Sequence, residues 1–158
     1  MQICGGDFMA YLEPKQIPSH NDARGTFFPL KNESIETNVV FNKAFVFRGF
    51  HAQNPPQQKI LSVIEGYIID IILTVENDKI KYFEYCIIDA GKYVIVPKMI
   101  DGLFVYHGYI SITESIVSYQ VDEPFNPENQ LNFSWKKFEE EFFKYLIKNC
   151  IISEKDNQ

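Results

Sequence analysis

Cysteine is scarce in this 158-residue chain, and the three that occur, Cys4, Cys86 and Cys150, are an odd number with no close spacing. That argues against a disulfide framework and a cysteine-based zinc site, and fits reduced thiols in a cytoplasmic protein. Positive charge is also short: 15 Lys and Arg against 21 Asp and Glu give a formal net charge of -6. A diffuse acidic surface repels polyanions and no dense basic patch offsets it, so no nucleic acid partner is expected. A small anion is a different matter, because a few local cations outweigh a diffuse background. No apolar run approaches the roughly 20 residues that span a bilayer, and the N-terminus lacks a basic region followed by a long apolar one. The expectation is a soluble, intracellular protein with no membrane partner.

What the chain does have is apolar material for a core, at 46% hydrophobic and 23% charged. Residues 1–158 are one domain's worth. The 14 Phe and 9 Tyr, with many Ile and Val, suit a pleated, half-buried surface and predict an all-β fold. Turn signals divide the apolar runs: Pro18 to Asp22 with His20 inside it, Asp22-Ala23-Arg24-Gly25, Pro55-Pro56, Glu76-Asn77-Asp78, Asp89-Ala90-Gly91 and Asp101-Gly102. Gly66 suits a corner or bulge between two strands. His107-Gly108 reads as a hairpin tip, followed by one long strand over residues 109–121. Beyond Trp135, the apolar residues Phe138, Phe142, Tyr145 and Leu146 fall near a 3.6 period and predict a C-terminal helix. By composition alone, the tail from residue 151 frays. The sum is an antiparallel sandwich or barrel whose mouth can hold a small ligand.

One stretch, residues 45–70, gathers polar groups between apolar runs: Arg48, His51, Gln53 and Lys59. Two strands joined by the Pro-Pro turn would aim Arg48, His51 and Lys59 into one cleft, making an anion site with a possible base. Each residue also has an ordinary reading. His51 can be a hydrogen-bonded histidine near the core, Arg48 a partner of a surface carboxylate and Lys59 an exposed residue snorkelling its charge. Tyr119 can be packing, and Asp70 a buried ion-pair partner of either cation. A metal site is not expected: His51-Ala52-Gln53 lacks a second histidine, and His20 and His107 both read as turn residues.

A resemblance runs through most of the chain in order. It is carried by Leu12-Glu13-Pro14, Asp22-Ala23-Arg24-Gly25-Thr26-Phe27-Phe28, Arg48-Gly49-Phe50-His51-Ala52-Gln53, Gln57-Gln58-Lys59-Ile60, Gly66-Tyr67-Ile68-Ile69-Asp70, Tyr119, Phe125-Asn126-Pro127, Trp135 and Ile152-Ser153-Glu154-Lys155-Asp156. In their order and spacing these segments resemble the dTDP-4-dehydrorhamnose 3,5-epimerase family. The resemblance implies a cupin-type jelly-roll barrel with a short C-terminal helix. It also implies a homodimer, no cofactor and no metal, and a nucleotide-diphosphate sugar as substrate. The reaction implied inverts carbons next to the ketone of a nucleotide-linked 4-keto-6-deoxyhexose. His51 matches the general base, Asp156 the carboxylate that orients it, Lys59 the cation beside the carbonyl and Tyr119 the acid on the opposite face. Arg24 and Arg48 match phosphate contacts and Lys155 a further substrate contact, so the resemblance folds the tail over the site. Gln53, Asp70 and Asp101 complete the expected substrate-binding set.

The chemistry stands apart from the name. A proton next to a ketone leaves only if charge building on the carbonyl oxygen is stabilised, and inversion needs a second proton from the other face. Departures from the family pattern point to altered sugar and nucleotide contacts. Its Ala-His-Gly-Phe run corresponds to Pro97-Lys98-Met99-Ile100-Asp101-Gly102-Leu103, with Asp101 in the histidine's place. Alternatively, that run aligns with His107-Gly108-Tyr109 through a displaced loop. Pro29 stands where the family usually has a glutamate. The alternatives to an epimerase are a nucleotide-sugar-binding protein on the same fold and a related keto-sugar isomerase.

Overall fold

The computed structural model describes residues 11–16, 20–22, 25–27 and 36–157, without the side chains of 20–22, 25–27 and 36. The strands are β1 Lys15–Gln16, β2 His20–Asp22, β3 Gly25–Phe27, β4 Glu36–Asn42, β5 Val46–Gln53, β6 Lys59–Glu65, β7 Tyr67–Glu76, β8 Lys79–Asp89, β9 Lys92–Val96, β10 Met99–Ile100, β11 Leu103–Ser111, β12 Ser115–Val121, β13 Gln130–Asn132 and β14 Ile151–Ile152. One helix, α1 Glu141–Lys148, precedes the last strand. One sheet has the order β1-β9-β6-β12-β4, and the other runs β13-β5-β11-β7-β8 with β10 on β11 and β14 on β5. Strands β2 and β3 pair antiparallel with each other, Asp22 opposite Gly25. The all-β jelly-roll with a short C-terminal helix is present, as two facing sheets that do not close into a barrel.

Local chemistry explains the joints. Asn77 and Asp78 both take positive φ, at 52° and 62°, as a two-residue β7–β8 hairpin requires of residues that tolerate the left-handed region. Gly66 is where the chain passes from the smaller sheet (β6) to the larger (β7). Its φ is 76°, and a Cβ there would meet the Glu114 carbonyl oxygen at 2.2 Å, so only glycine fits.

The two faces of the larger sheet are used differently. Leu61, Val63, Val94 and Val117 of the smaller sheet pack with Ile68, Ile72, Ile88 and Val105 of the larger one, forming the core between the sheets. On the other face, Phe47, Phe50, Ile71, Leu73 and Ile110 are covered by Phe133, Trp135, Phe138, Phe143 and Ile147 from the C-terminal segment. This second core is aromatic: Phe138 stacks on Phe50 at 5.7 Å between centroids and meets Phe83 edge-on at 5.0 Å.

Three sequence expectations are corrected here. His107-Gly108 is not a hairpin tip: both residues lie inside β11, and the turn falls at residues 112–114. Gly108 is small because β5 crosses it closely. A Cβ on Gly108 would meet the Arg48 carbonyl oxygen at 2.8 Å, and one on Gly49 would meet the Gly108 Cα at 2.6 Å. The helix forms, but it buries Phe143 and Ile147, leaving Phe142 and Tyr145 at 66% and 69% exposure. The tail does not fray. Ile151 and Ile152 pair in parallel with Val46 and Phe47 of β5. No helix among the described residues is long and apolar enough to cross a membrane.

Candidate active site

Arg48 and His51 are three residues apart on β5, a spacing that regular alternation would put on opposite faces. The register removes the conflict. His51 pairs with His107 and Arg48 with Tyr109, so three steps on β5 match two on β11. The extra residue is a bulge at Gly49-Phe50. Phe47 and Phe50 thereby both enter the aromatic core, while Arg48 and His51 both line one cavity of about 420 Å³. Lys59, Tyr119, Lys155 and Asp156 line it too, with His107, Tyr109 and Phe125.

The His51 ring is held at both nitrogens. Its Nε2 is 2.9 Å from Asp156 Oδ1, and its Nδ1 is 2.7 Å from Asn132 Oδ1. Asn132 sits opposite His51 in the β13–β5 ladder, which fixes that contact. Asp156 is delivered by the tail. Burial pushes its carboxyl up, but the hydrogen bond and charge of His51, with bonds from Ser153 and the Gly49 amide, hold it below the ordinary carboxylate range. The tail is tied down on both sides: Lys136 Nζ donates to the Asn157 carbonyl at 2.5 Å, and Lys155 Nζ to Gln130 Oε1 at 2.5 Å. Lys155 also lies 6.0 Å from the Phe125 ring centroid.

A second imidazole–carboxylate pair lies deeper. His107 Nε2 is 2.7 Å from Asp70 Oδ1, with side-chain exposures of 8% and 0%. Among the described residues Asp70 Oδ2 has no hydrogen-bond partner, and Lys59 feels the attraction of this carboxylate. Burial pulls its ammonium down to about 8, against the attraction of Asp70. Burial pushes the Tyr109 phenol up to about 12, against the nearby Arg48 charge.

The structure therefore brings together six of the expected residues, His51, Asp156, Lys59, Tyr119, Arg48 and Lys155, and separates three others. Gln53 is buried with its amide donating to the Asn126 carbonyl at 2.8 Å, so it braces a loop and does not line the main cavity. Asp70 sits behind His107, also outside the lining. Asp101 occupies an exposed turn between β10 and β11 with φ 49°, away from the cavity. Asp101 thus lies away from the cavity, whereas His107, on β11, lines it. Arg24 and Pro29 lie outside the described residues. His20 falls in β2 and His107 in β11, so neither turn assignment used against a metal site holds, and of that argument only the missing second histidine in His51-Ala52-Gln53 still stands beside the resemblance. His107, Tyr109 and Asn132 are the residues that sequence reasoning missed. For His107, the signal was there in the alternative alignment of His107-Gly108-Tyr109.

A cavity with a carboxylate-backed imidazole, the Lys59 ammonium and phenols from both sheets agrees with what the chain is similar to. A sequence model of the dTDP-4-dehydrorhamnose 3,5-epimerase family matches residues 15–158. The chain belongs to this family. A dTDP-4-dehydrorhamnose 3,5-epimerase of Methanothermobacter thermautotrophicus is 27% identical over 156 residues, covering 87% of this chain and 82% of that protein. The Bacillus anthracis enzyme of the same name, crystallised with TDP and PPi bound, superposes with a TM-score of 0.73 at 25% identity over 92% of this chain and 91% of that one. The Sulfolobus tokodaii enzyme superposes with a TM-score of 0.71 at 25% identity, covering 94% of each chain. The family makes this an isomerase-class protein of nucleotide-linked keto-deoxysugar chemistry.

Proposed function

We propose that this epimerase-family chain inverts one or both carbons flanking the ketone of a nucleotide-linked 4-keto-6-deoxyhexose, with His51 as base and Tyr119 as acid. The observation that carries the reading is the His51–Asp156 pair at 2.9 Å in a cavity shared with Lys59 and Tyr119. His51 takes the proton from the carbon next to the ketone, and the electron pair moves onto the carbonyl oxygen. Lys59 and His107 line the same cavity and face that developing charge, where positioned donors stabilise it. Tyr119 then returns a proton to the carbon from the other side. Base chemistry needs a free ring nitrogen, so one of the two contacts on His51 opens when substrate enters. The neutral, exposed Asn132 amide makes the weaker bond and gives way, while the ionised Asp156 stays.

Arg48 and Lys155 at the cavity wall suit the diphosphate. A binding-only function loses one of its two motives, since Asp101 is outside the cavity and cannot oppose the enolate. Incubation with a 4-keto-6-deoxy nucleotide sugar in heavy water tests the reading. Deuterium should enter one or both carbons next to the ketone, at rates that count the inverted centres. Exchange at neither carbon, across 4-keto nucleotide sugars, overturns it.

We also propose that the chain acts as a cytoplasmic homodimer. Among the described residues β4 is an edge strand, with Val39 and Phe41 at 57% and 76% exposure, and its Asn38 and Val40 line the cavity. A second copy on this edge would cover the apolar side chains and border the site. Sedimentation velocity should give twice the monomer mass, and Phe41→Lys should shift it to monomer.

A further inference from the structure

We infer that Asn42 is a positioning residue for the diphosphate site, holding the Arg48 guanidinium by its inner nitrogen so that both outer nitrogens face the cavity. The inference rests on the reading of Arg48 as a phosphate contact and adds the device that aims it.

Asn42 is the last residue of β4, in the smaller sheet, and Arg48 lies on β5, in the larger one. Arg48 Nε donates to Asn42 Oδ1 at 2.8 Å, a bond that joins the two sheets at the cavity wall. Tyr109 is the residue facing Arg48 across the β5–β11 ladder, and its hydroxyl donates to the same oxygen at 3.3 Å. The two donors use both lone pairs of the amide oxygen. The amide nitrogen donates to Ser115 Oγ at 3.3 Å, on the strand paired with β4. This network fixes which way the amide points, since a flipped amide would set its NH2 against two donors. Asn42 and Ser115 are 6% and 3% exposed, so the anchor is held inside the protein.

The choice of nitrogen matters. A guanidinium has one N–H on Nε and four on its two terminal nitrogens, and the terminal pair makes the fork that matches a phosphate. An anchor on Nε restrains the long side chain without spending the fork. A carboxylate in the same place would spend the charge as well, and among the described residues no carboxylate pairs with Arg48. A neutral amide therefore aims the cation and leaves its charge for the ligand. The Tyr109 hydroxyl steadies the oxygen from the opposite strand.

The experiment is a double-mutant cycle read by calorimetric titration with dTDP, alongside steady-state kinetics and thermal melts. Arg48→Ala should weaken dTDP binding on the order of 100-fold, and Asn42→Ala about 5- to 20-fold. Asn42→Ala should raise KM while kcat at saturating substrate changes by less than about threefold. In the Arg48→Ala background, Asn42→Ala should cost almost nothing further, because it acts through the guanidinium. An equal cost in both backgrounds, or no cost in the first, overturns the inference while leaving the Arg48 reading intact. No effect of Arg48→Ala on dTDP affinity would instead overturn the phosphate reading, and this inference with it. If Asn42→Ala does not fold, the near-isosteric Asn42→Asp serves as the second test. It keeps an acceptor for Nε but cancels the cation, so affinity should fall more than 20-fold. Unchanged affinity in that variant also overturns the inference.

Discussion

The inner and outer faces of the larger sheet share the same strands and do opposite work. On the outer face Phe47, Phe50, Ile71 and Ile110 bury against Phe138 and Phe143, with almost every contact apolar. On the inner face the same β5, β7 and β11 present Arg48, His51, Asp70 and His107, and both histidines have a carboxylate oxygen within 3 Å. Burying polar groups costs free energy unless they are paired, and among the described residues Asp70 keeps one oxygen without a partner. The aromatic face lets the sheet tolerate that cost. Function and stability therefore separate by face, although alternate residues of one strand serve each.

The comparison breaks most visibly from the inner side. Replacing Lys59 with Met should cut kcat by about 10²- to 10³-fold, since it removes a donor to the developing oxyanion. In the native protein, activity that depends on the ammonium should fall as pH rises through about 8. The sign for stability is the reverse. Burial lowers this group from 10.5 to about 8, so the unfolded chain binds the proton more tightly, and the group's contribution to stability rises over that interval. A pH profile of kcat and a set of denaturant titrations between pH 7 and 10 check both.

Asp156→Asn should lower kcat by roughly 10²-fold while leaving dTDP affinity nearly unchanged, because the imidazole loses its orienting charge but the phosphate contacts remain. The carboxyl is held below its ordinary value, so the pair stabilises the docked tail above the ordinary value of about 3.9. That contribution is lost as pH falls through the lower folded value. Amide exchange of residues 151–157 between pH 5 and 2 should show the tail loosening over that range, and the Asn variant should lack the transition.

The outer face sharpens the contrast. Phe138→Ala removes a ring that is 1% exposed and should destabilise the protein by about 3–5 kcal/mol. Turnover per folded molecule should change by less than about threefold, because no atom of Phe138 reaches the cavity. Urea titration and active-site counting separate the two effects.

Much of this division was legible in the chain, and the rest was hidden for identifiable reasons. Turn chemistry located the corner at Gly66 and the hairpin at Asn77-Asp78, because those positions demand conformations that few residues tolerate. The clustering of Arg48, His51 and Lys59 in one stretch, with Tyr119 and Asp156 added by the family resemblance, marked residues that the fold brings to one cavity. His107 was missed because a glycine after a polar residue looks the same in a turn as at a close strand crossing; only the Gly49–Gly108 contact distinguishes them. The bulge that lets Arg48 and His51 share a face is a property of pairing with β11, which no local pattern contains. The helix face was misjudged for a similar reason. Phe142 and Phe143 are equally apolar, and the sheet decides which is buried.

The central claim is that base and acid stand on opposite sides of one sugar, and Tyr119→Phe tests it most directly. Deuterium uptake next to the ketone and inversion of the same carbon are measured together in heavy water. With the acid removed and the His51–Asp156 pair intact, uptake should stay within about tenfold of the native rate while inversion falls by 10²-fold or more, on the order expected for a lost proton donor. Uptake and inversion falling in parallel, or inversion surviving the loss of the phenol, would contradict the account.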